Sequence, residues 1–401
     1  MKQASINTNY RWVILGTVCC IQFLSSMANA SFGPLAPFLI ADLGINRTQL
    51  GLFPSLLCLS TVLFSMPGGW LIDKFGVRRL LLLGPGVLGI FFALFSTIPN
   101  LAAGYLVVFL IGIGYLFLAP TTAIALIQWF PKKSRATAVS IKQSAVTAGT
   151  AIGAIIIPAL SIWLGWRDAV TIIGIVVVLV AVSGFCIYRE WSQESSRIQP
   201  PVLAAFRKVI ANKNLLYLGI ACIAYLALQS CINSYLVLEL VELKSMPVIV
   251  AGTFLMVANI GGAVGRIIWG AVSDKTFNGK RKQVMTIIGL ISGTLVIISS
   301  ISLAHIHGLL LYIIITLIGA CAFGWNGILN VFATELSGKE TAATGLGWTF
   351  TISTFGGVLG PPLFGYIVDK TSSYTPAWLA VAVGVIAAAF LIAFIKEQEV
   401  I

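Results

Sequence analysis

The sequence predicts an all-α membrane protein in which twelve transmembrane helices form two pseudo-symmetric bundles of six helices. Three observations indicate this fold class. Of the 401 residues, 58% are hydrophobic and 9% are charged, whereas a soluble domain carries about 25% charged residues. Apolar runs long enough to cross about 30 Å of hydrocarbon recur twelve times. A short motif at the end of the second run is repeated at the end of the eighth, which indicates a duplicated six-span unit.

Each apolar run is predicted to be a helix, because backbone groups inside a bilayer must find their hydrogen-bond partners within the protein. We place the spans at residues 12–32, 49–72, 79–98, 103–129, 136–163, 169–188, 215–240, 248–273, 284–304, 308–334, 342–367 and 376–396. The links between spans are short except for residues 189–214, which are polar and charged. The chain is therefore expected to consist of an N-terminal bundle at 1–188, a cytoplasmic linker at 189–214 and a C-terminal bundle at 215–401.

The distribution of lysine and arginine predicts the orientation in the membrane. With both termini in the cytoplasm, nineteen of the 25 basic residues fall in cytoplasmic segments, four fall outside and two lie within spans. The sequence therefore predicts a multi-pass protein of the cytoplasmic (inner) membrane with both termini inside. The same bias explains the formal charge of +12, so we expect no nucleic-acid partner. Residues 28–30, Ala-Asn-Ala, resemble a signal-peptide cleavage site, but the charge bias fits the uncut chain better.

The sequence offers no recognisable enzyme chemistry. Its seven cysteines all lie in apolar runs, their number is odd, and no pair has the CxxC spacing of a metal or redox site. No catalytic triad, metal-ligand cluster or phosphate-binding loop is visible. We therefore expect a protein that is not an enzyme and that uses no metal and no cofactor.

The repeated motif is the most specific feature of the chain. Three residues of the first copy recur in the second at one constant offset: Gly69, Asp73 and Lys74 correspond to Gly270, Asp274 and Lys275. Each copy lies in the link that follows the second span of a half. Parallel repeats of this kind are the plan of one large class of secondary transporters.

The first copy, Gly69-x3-Asp73-Lys74-x-Gly76-x-Arg78-Arg79, resembles the signature of the major facilitator superfamily in the loop between helices two and three, and the resemblance covers the whole chain. It implies alternating access, in which two six-helix bundles rock about a central site and this loop latches the cytoplasmic side. The residues expected to take part in gating are Gly69, Asp73, Lys74, Gly76, Arg78, Arg79, Arg135, Asp274 and Lys275. The alternative is that the loop serves only as a positively charged anchor.

Two stretches of the second half resemble particular branches of that superfamily. The stretch "GRIIWGAVSD", Gly265 to Asp274, resembles the eighth helix of the oxalate–formate and monocarboxylate branches, in which an arginine lies eight residues before the Ser-Asp end. The stretch "GGVLGPPLFGYIVD", Gly356 to Asp369, resembles helix eleven of the same branches. The eleventh span lacks the lysine of the oxalate carriers, which disfavours a dianion. The second span lacks the arginine of the nitrate porters, which disfavours nitrate.

Arg266 is the residue on which the functional prediction depends. Its position puts it roughly 12 Å into the membrane, where an arginine costs at least about 2.5–3.5 kcal/mol unless it faces a cavity or a partner. No acidic residue lies in the middle of a span. We therefore expect the partner to be an anion from outside the protein, held bidentately. The alternative is a structural arginine that reaches toward Asp274 or bonds to carbonyl groups. Lys142, the second charge within a span, could join this site, but we favour snorkelling of its ammonium group to the cytoplasm.

Polar residues at helical spacing mark the faces expected to bind the anion. The first span carries four of them at i, i+3, i+4 and i+7, from Gln22 to Asn29. The full set of predicted binding residues is Gln22, Asn29, Tyr115, Gln143, Gln229, Asn233, Asn259, Arg266, Trp325, Asn326 and Asn330. The alternative for each is an interhelical hydrogen bond, worth about 0.6 kcal/mol on average.

The function predicted from these features is secondary active transport of a small organic anion, most simply a monocarboxylate, by alternating access. The expected partners are this anion, the lipid bilayer, and either protons or a counter-anion, and the protein is expected to act as a monomer. Glu239, at the outer end of the seventh span, is the single candidate proton site. Two alternatives stay open. A proton-coupled exporter of amphipathic drugs predicts an acid inside the first-half spans, which is absent, and the same fold could serve as a membrane sensor that transports nothing.

Overall fold

The computed structural model describes residues 10–131, 134–189, 207–338 and 341–396, with all of their side chains except those of residues 65–73, 136 and 304. Within these residues the chain forms fourteen α-helices of at least twelve residues. They are α1 (Tyr10–Asn29), α2 (Phe32–Leu43), α3 (Arg47–Leu94), α4 (Leu101–Leu116), α5 (Leu118–Trp129), α6 (Arg135–Leu164), α7 (Trp166–Ile187), α8 (Lys213–Lys244), α9 (Val248–Ala271), α10 (Arg281–Ser302), α11 (Gly308–Ala322), α12 (Trp325–Ser337), α13 (Ala342–Thr371) and α14 (Thr375–Ala393).

Twelve helical segments are long and apolar enough to cross a membrane, so the all-α, twelve-span fold predicted from the sequence is confirmed. The ends differ from the predicted ends because hydropathy marks the apolar stretch, whereas a helix continues as far as its backbone hydrogen bonds allow. The first span, predicted at 12–32, extends over Tyr10–Leu43, because α2 adds a second apolar helix after α1.

Three spans are interrupted along their length. The first divides into α1 and α2, the fourth into α4 and α5, and the tenth into α11 and α12. The hydropathy of these spans shows no sign of the breaks. An interruption inside a bilayer frees backbone carbonyl groups that need new donors. In the tenth span, side chains of α9 and α12 supply these donors.

The second and third spans both belong to α3 and are separated by a turn at Gly76, where φ is 77° and ψ is 164°. Residues other than glycine rarely adopt a positive φ of this size. Gly76, which occurs in the first copy of the motif alone, is therefore required by the turn itself.

The chain divides into two compact units. One comprises the described residues of Met1–Phe38 and Leu59–Glu194, and the other comprises those of Leu39–Cys58 and Ser195–Ile401. The first part of the second span therefore packs with the second unit, which a division at the linker does not anticipate. The boundaries 1–188, 189–214 and 215–401 stay a prediction, and residues 190–206 of the linker lie outside the described residues.

Glycines let helices within each unit approach closely, as small residues do in other membrane bundles. A Cβ atom added at Gly149 on α6 would lie 2.2 Å from the carbonyl oxygen of Phe23 on α1. One added at Gly356 on α13 would lie 2.0 Å from the carbonyl oxygen of Ile223 on α8. The glycine spacings in α6 and α13 therefore serve packing.

Candidate functional site

Arg266 on α9 faces the break in the tenth span. Its Nε atom donates a hydrogen bond to the carbonyl oxygen of Phe323 at 3.2 Å, at the point where α11 has ended. The close approach of the two spans depends on glycine. A Cβ atom at Gly265 would lie 2.2 Å from the carbonyl oxygen of Ala320, and one at Gly324 would lie 3.2 Å from the carbonyl carbon of Gly265. The eighth and tenth spans therefore meet backbone to backbone, and this contact fixes the position of Arg266.

Two indole groups satisfy other carbonyls at the break. Trp269 Nε1 donates to Ala320 at 3.1 Å, and Trp325 Nε1 donates to Ala322 at 2.9 Å. Trp325 is fully buried, and its ring centroid lies 5.6 Å from that of Tyr225. The structure thus places Trp325, one of the predicted binding residues, in a packing position where its N–H group is already used.

The two terminal nitrogens of Arg266 make no hydrogen bond or ion pair within the part of the chain that the structure describes. A guanidinium has five N–H donors, and the contact with Phe323 uses one of them. The structural alternative predicts that Arg266 reaches Asp274 or bonds to carbonyl groups. Asp274 pairs with Arg281 instead, and the carbonyl of Phe323 takes one N–H group of Arg266. Arg266 is therefore held by one carbonyl group, and four of its N–H donors are left for an anion.

Two other predicted residues extend this site. Asn326 Nδ2 donates to the same oxygen of Phe323 at 3.2 Å and to Oε1 of Gln229 on α8 at 3.1 Å. The contacts from Arg266 through Phe323 and Asn326 to Gln229 connect the eighth, tenth and seventh spans. Amide groups beside a guanidinium suit an organic anion that also carries hydroxyl groups, since amides both donate and accept hydrogen bonds.

The remaining predicted residues of the second unit lie apart from this network. Asn259 is 8% exposed, and its Nδ2 donates to Leu255 of the same helix at 3.0 Å. Asn233 is half-buried and Asn330 is exposed. Neither of these two forms a hydrogen bond to Arg266, Asn326 or Gln229 in the described chain.

In the first unit, predicted polar residues of the first span meet polar residues of the fourth, among them the predicted Tyr115 and also Thr122, which was not predicted. The hydroxyl of Thr122 donates to Oε1 of Gln22 at 3.2 Å, and the hydroxyls of Ser26 and Tyr115 lie 3.4 Å apart. The Oδ1 atom of Asn29 is buried without a hydrogen-bond partner among the described residues. This face of the first span is therefore polar and only partly satisfied by the protein.

Lys142 lies inside the first unit. Its side chain is 5% exposed and lies near the thiol of Cys19. The expectation that its ammonium group snorkels to the cytoplasm is wrong, because a snorkelling group ends in solvent. The neighbouring Gln143 is exposed. Lys142 is thus a second buried cation that forms no ion pair with any described residue.

The amino-acid pattern of most of the chain agrees with the fold. The model of the family described as Major Facilitator Superfamily matches residues 18–361. The chain belongs to the major facilitator superfamily. It is a membrane transporter and not an enzyme.

Curated relatives of this major facilitator protein share about a quarter of its residues. It is 28% identical to a probable hexose phosphate transport protein of Chlamydia trachomatis, over 83% of this chain and 80% of the relative. It is 25% identical to the hexuronate transporter of Bacillus subtilis, over 90% of this chain and 89% of the relative. A probable galactarate/D-glucarate transporter of Bacillus subtilis is 23% identical, over 96% and 91% of the two chains.

Solved structures show the same fold at lower identity. A bacterial homolog of the human lysosomal transporter Spinster, in an inward-facing and unoccupied conformation, aligns with a TM-score of 0.80 at 18% identity and covers 96% of each chain. The nucleoside transporter NupG aligns with a TM-score of 0.80 at 15% identity, over 98% of this chain and 100% of the other.

The signature loop of this major facilitator protein is described in part. The side chain of Asp73 and the contacts made at Gly69 are not among the described features. Arg78 Nε donates to the carbonyl oxygen of Phe185 at 2.9 Å, and its guanidinium lies 4.5 Å from the Phe185 ring. Arg135 Nε donates to a carbonyl oxygen at 2.9 Å, in the loop before α6. Both arginines are thus fixed by backbone groups.

The second copy of the motif adopts a single π-helical turn, Val272–Thr276. Asp274 in this turn pairs with Arg281 at the start of α10, and Arg281 also lies 3.5 Å from Glu335. Three basic residues of the two copies are exposed: Lys74, Arg79 and Lys275. The gating role of both copies stays a prediction.

A charged cluster that the sequence did not indicate joins the second, seventh and eleventh spans. Arg47 Nη2 lies 2.7 Å from Oε2 of Glu242, and Nη1 lies 3.7 Å from Oδ1 of Asp369. The hydroxyl of Tyr374 donates to the same Glu242 oxygen at 2.7 Å. Burial, together with the hydrogen bond to Glu242, raises the pKa of Tyr374 above its ordinary value, so the phenol keeps the proton that it donates. The cluster could have been found from one sequence signal: residues of opposite charge lie at span ends that are predicted to be on the same side of the membrane.

Proposed function

We propose that this protein transports a small organic anion, a hydroxylated monocarboxylate such as a hexuronate, across the cytoplasmic membrane by alternating access. The observation that carries this proposal is the half-buried guanidinium of Arg266. One carbonyl group holds it, and no carboxylate of the described chain neutralises it. A planar group with adjacent free N–H donors matches a carboxylate bidentately.

The choice of a hydroxylated substrate rests on the neighbours of Arg266. The amide groups of Asn326 and Gln229 lie in the same hydrogen-bonded network, and amides suit hydroxyl groups. Three relatives are named as transporters of hexose phosphate, hexuronate and galactarate or D-glucarate, which are hydroxylated anions. Arg266 is the one cation away from the span ends among the described residues of the second unit, which favours a single carboxylate.

We further propose that both termini are cytoplasmic and that the protein acts as a monomer. The first part rests on the bias of lysine and arginine toward the links on one side. The signature loop between the second and third spans, which includes the turn at Gly76, then lies in the cytoplasm.

Binding is tested by thermal shift on the purified full-length protein with D-glucuronate, D-galactarate, glucose 6-phosphate and neutral glucose. We expect D-glucuronate to raise the Tm and glucose to have no effect. Arg266→Lys keeps the charge but loses the planar fork, so its Kd should rise by at least about tenfold, which is about 1.4 kcal/mol. Arg167→Lys is the matched control, because Arg167 lies at the start of α7 in the first unit, where it donates to the carbonyl oxygen of Ser96.

Transport is tested by counterflow of labelled D-glucuronate in proteoliposomes. Exchange with unlabelled D-glucuronate inside the vesicles should be seen with the wild type and the Arg167→Lys variant and should be strongly reduced with Arg266→Lys. If D-glucuronate stabilises the wild type and the Arg266→Lys variant equally, Arg266 is not its ligand and the proposal is overturned.

A further inference from the structure

Glu239 is a buried carboxyl group that the proposed anion site does not use. It lies near the end of α8 and is 3% exposed. Its Oε2 atom accepts a hydrogen bond from the indole Nε1 of Trp378 on α14 at 2.8 Å. No lysine or arginine among the described residues pairs with it. A carboxylate in this position therefore has one hydrogen bond and no counter-ion.

The surroundings of Glu239 are apolar. It lines an apolar cavity with about 40 Å³ of free volume, whose walls are formed by α8, α9, α10, α11 and α14. Ser299 and Ser300 are the other polar side chains of this wall, and their hydroxyls donate to Val296 and Ile297 of their own helix. A calcium ion needs six or more oxygen ligands, and the cavity does not present them. A proton needs only the carboxylate itself.

The charged and titratable groups around this stretch are engaged elsewhere. Glu242, three residues further along α8, pairs with Arg47. Asp369 on α13 binds the start of α3, and Tyr374 donates to Glu242. Beyond Glu239, Lys244 donates to the carbonyl oxygen of Ile306 and lies 3.4 Å from Nδ1 of His307. The helices α11 and α14 carry no charged side chain.

We propose that Glu239 is a proton-binding site and that it couples anion transport to proton movement. The coupling, but not the proton binding, rests on the proposed transport function. In the closed surroundings described here the group is the neutral acid, since an unpaired carboxylate in an apolar site costs several kcal/mol. Opening of the cavity to water lets the acid release its proton and leave the carboxylate hydrated. The step is a simple acid dissociation, in which the O–H bond breaks, water accepts the proton and no redox partner is needed.

Trp378 is the positioning residue of this site. Its ring lies 4.6 Å from that of Phe364 on α13, which fixes the direction of the indole N–H. The hydrogen bond to Glu239 therefore reports whether α8 and α14 are in contact.

The proton site itself is tested by infrared difference spectroscopy of the lipid-reconstituted protein between alkaline and acidic pH. We expect a carboxylic acid C=O band that is lost in Glu239→Gln and shifted in frequency in Trp378→Phe, which keeps a ring but removes the donor. Asp168→Asn removes an exposed acid at the start of α7 and should leave this band unchanged. An identical band in Glu239→Gln overturns the proposal.

Coupling is tested in proteoliposomes with labelled D-glucuronate. The wild type and Asp168→Asn should accumulate it under an imposed pH gradient, whereas Glu239→Gln should retain counterflow and lose accumulation. Accumulation by Glu239→Gln at the wild-type level overturns the coupling. Absence of D-glucuronate counterflow in the wild type contradicts the proposed substrate instead, and the infrared result then decides the proton site alone.

Discussion

The carboxylate of Asp369 caps the first turn of α3, where its Oδ2 atom accepts a hydrogen bond from the backbone N–H of Thr48 at 2.8 Å. The same oxygen accepts from the Thr48 hydroxyl at 2.6 Å, and Oδ1 accepts from the backbone N–H of Arg47 at 3.1 Å. The first N–H groups of a helix lack partners in the helix and carry a partial positive charge. An acid at the end of the eleventh span therefore completes the start of the second span.

Replacing Asp369 with alanine should lower the stability of the protein. The change removes the acceptors for two backbone N–H groups, and loss of a helix cap costs about 0.5–2 kcal/mol. Asp369→Asn keeps one acceptor oxygen and should lose less. The Tm of each purified variant in the same detergent measures the effect. A Tm for Asp369→Ala equal to that of the wild type would show that the cap contributes nothing.

Hydropathy and charge were enough to predict the twelve spans and to single out Arg266. They could do so because a long apolar run and an isolated charge within it are both local features of the sequence. The break in the tenth span is not visible in this way, since Phe323 and Gly324 lie within one apolar run and glycine is frequent in unbroken transmembrane helices. The break depends on the approach of α9 to Ala320, which is a contact between spans.

The cluster around Arg47 was missed for a related reason. Its members come from the starts and ends of three spans, and each alone resembles an ordinary interfacial charge. The prediction for Lys142 rested on the length of its side chain, which allows snorkelling. It failed because the face of α6 that carries Lys142 packs against α1, as the contact at Gly149 seven residues later shows.

The break in the tenth span should tolerate no side chain at Gly324. A Cβ atom there would lie 2.1 Å from the carbonyl oxygen of Ala320 in the same span, and 2.9 Å from Cδ1 of Trp269 and 3.2 Å from the carbonyl carbon of Gly265 on α9. Gly324→Ala should therefore distort the break and push the eighth and tenth spans apart. Overpacking of this kind costs about 1–3 kcal/mol. We expect a lower Tm and weaker D-glucuronate binding, because Arg266 moves with α9. Gly347→Ala on α13 is the matched control, since a Cβ atom there meets nothing within 4 Å. Equal Tm values for the two variants would contradict the close contact.

A negative charge placed beside Arg266 should compete with the carboxylate of the substrate. Asn326 and Arg266 donate to the same oxygen of Phe323, so the new carboxylate of Asn326→Asp lies close to the guanidinium. We expect Asn326→Asp to reduce D-glucuronate affinity by at least about tenfold, or about 1.4 kcal/mol. Asn326→Ala, which removes the same amide without adding charge, should lose less affinity. If both variants bind D-glucuronate equally well, electrostatic competition at Arg266 is excluded.

The proposed orientation predicts which loops are open to the outside of the cell. Lys280, between α9 and α10, and Thr371, at the end of α13, are both exposed and lie on opposite sides of the membrane if both termini are cytoplasmic. In a background whose seven cysteines are replaced by serine or alanine, Thr371→Cys should react with a membrane-impermeant maleimide on intact cells. Lys280→Cys should react only after the membrane is permeabilised, because its loop carries the second basic motif and stays inside. The reverse labelling pattern would invert the topology and place the signature loop outside, where it could not latch the cytoplasmic face.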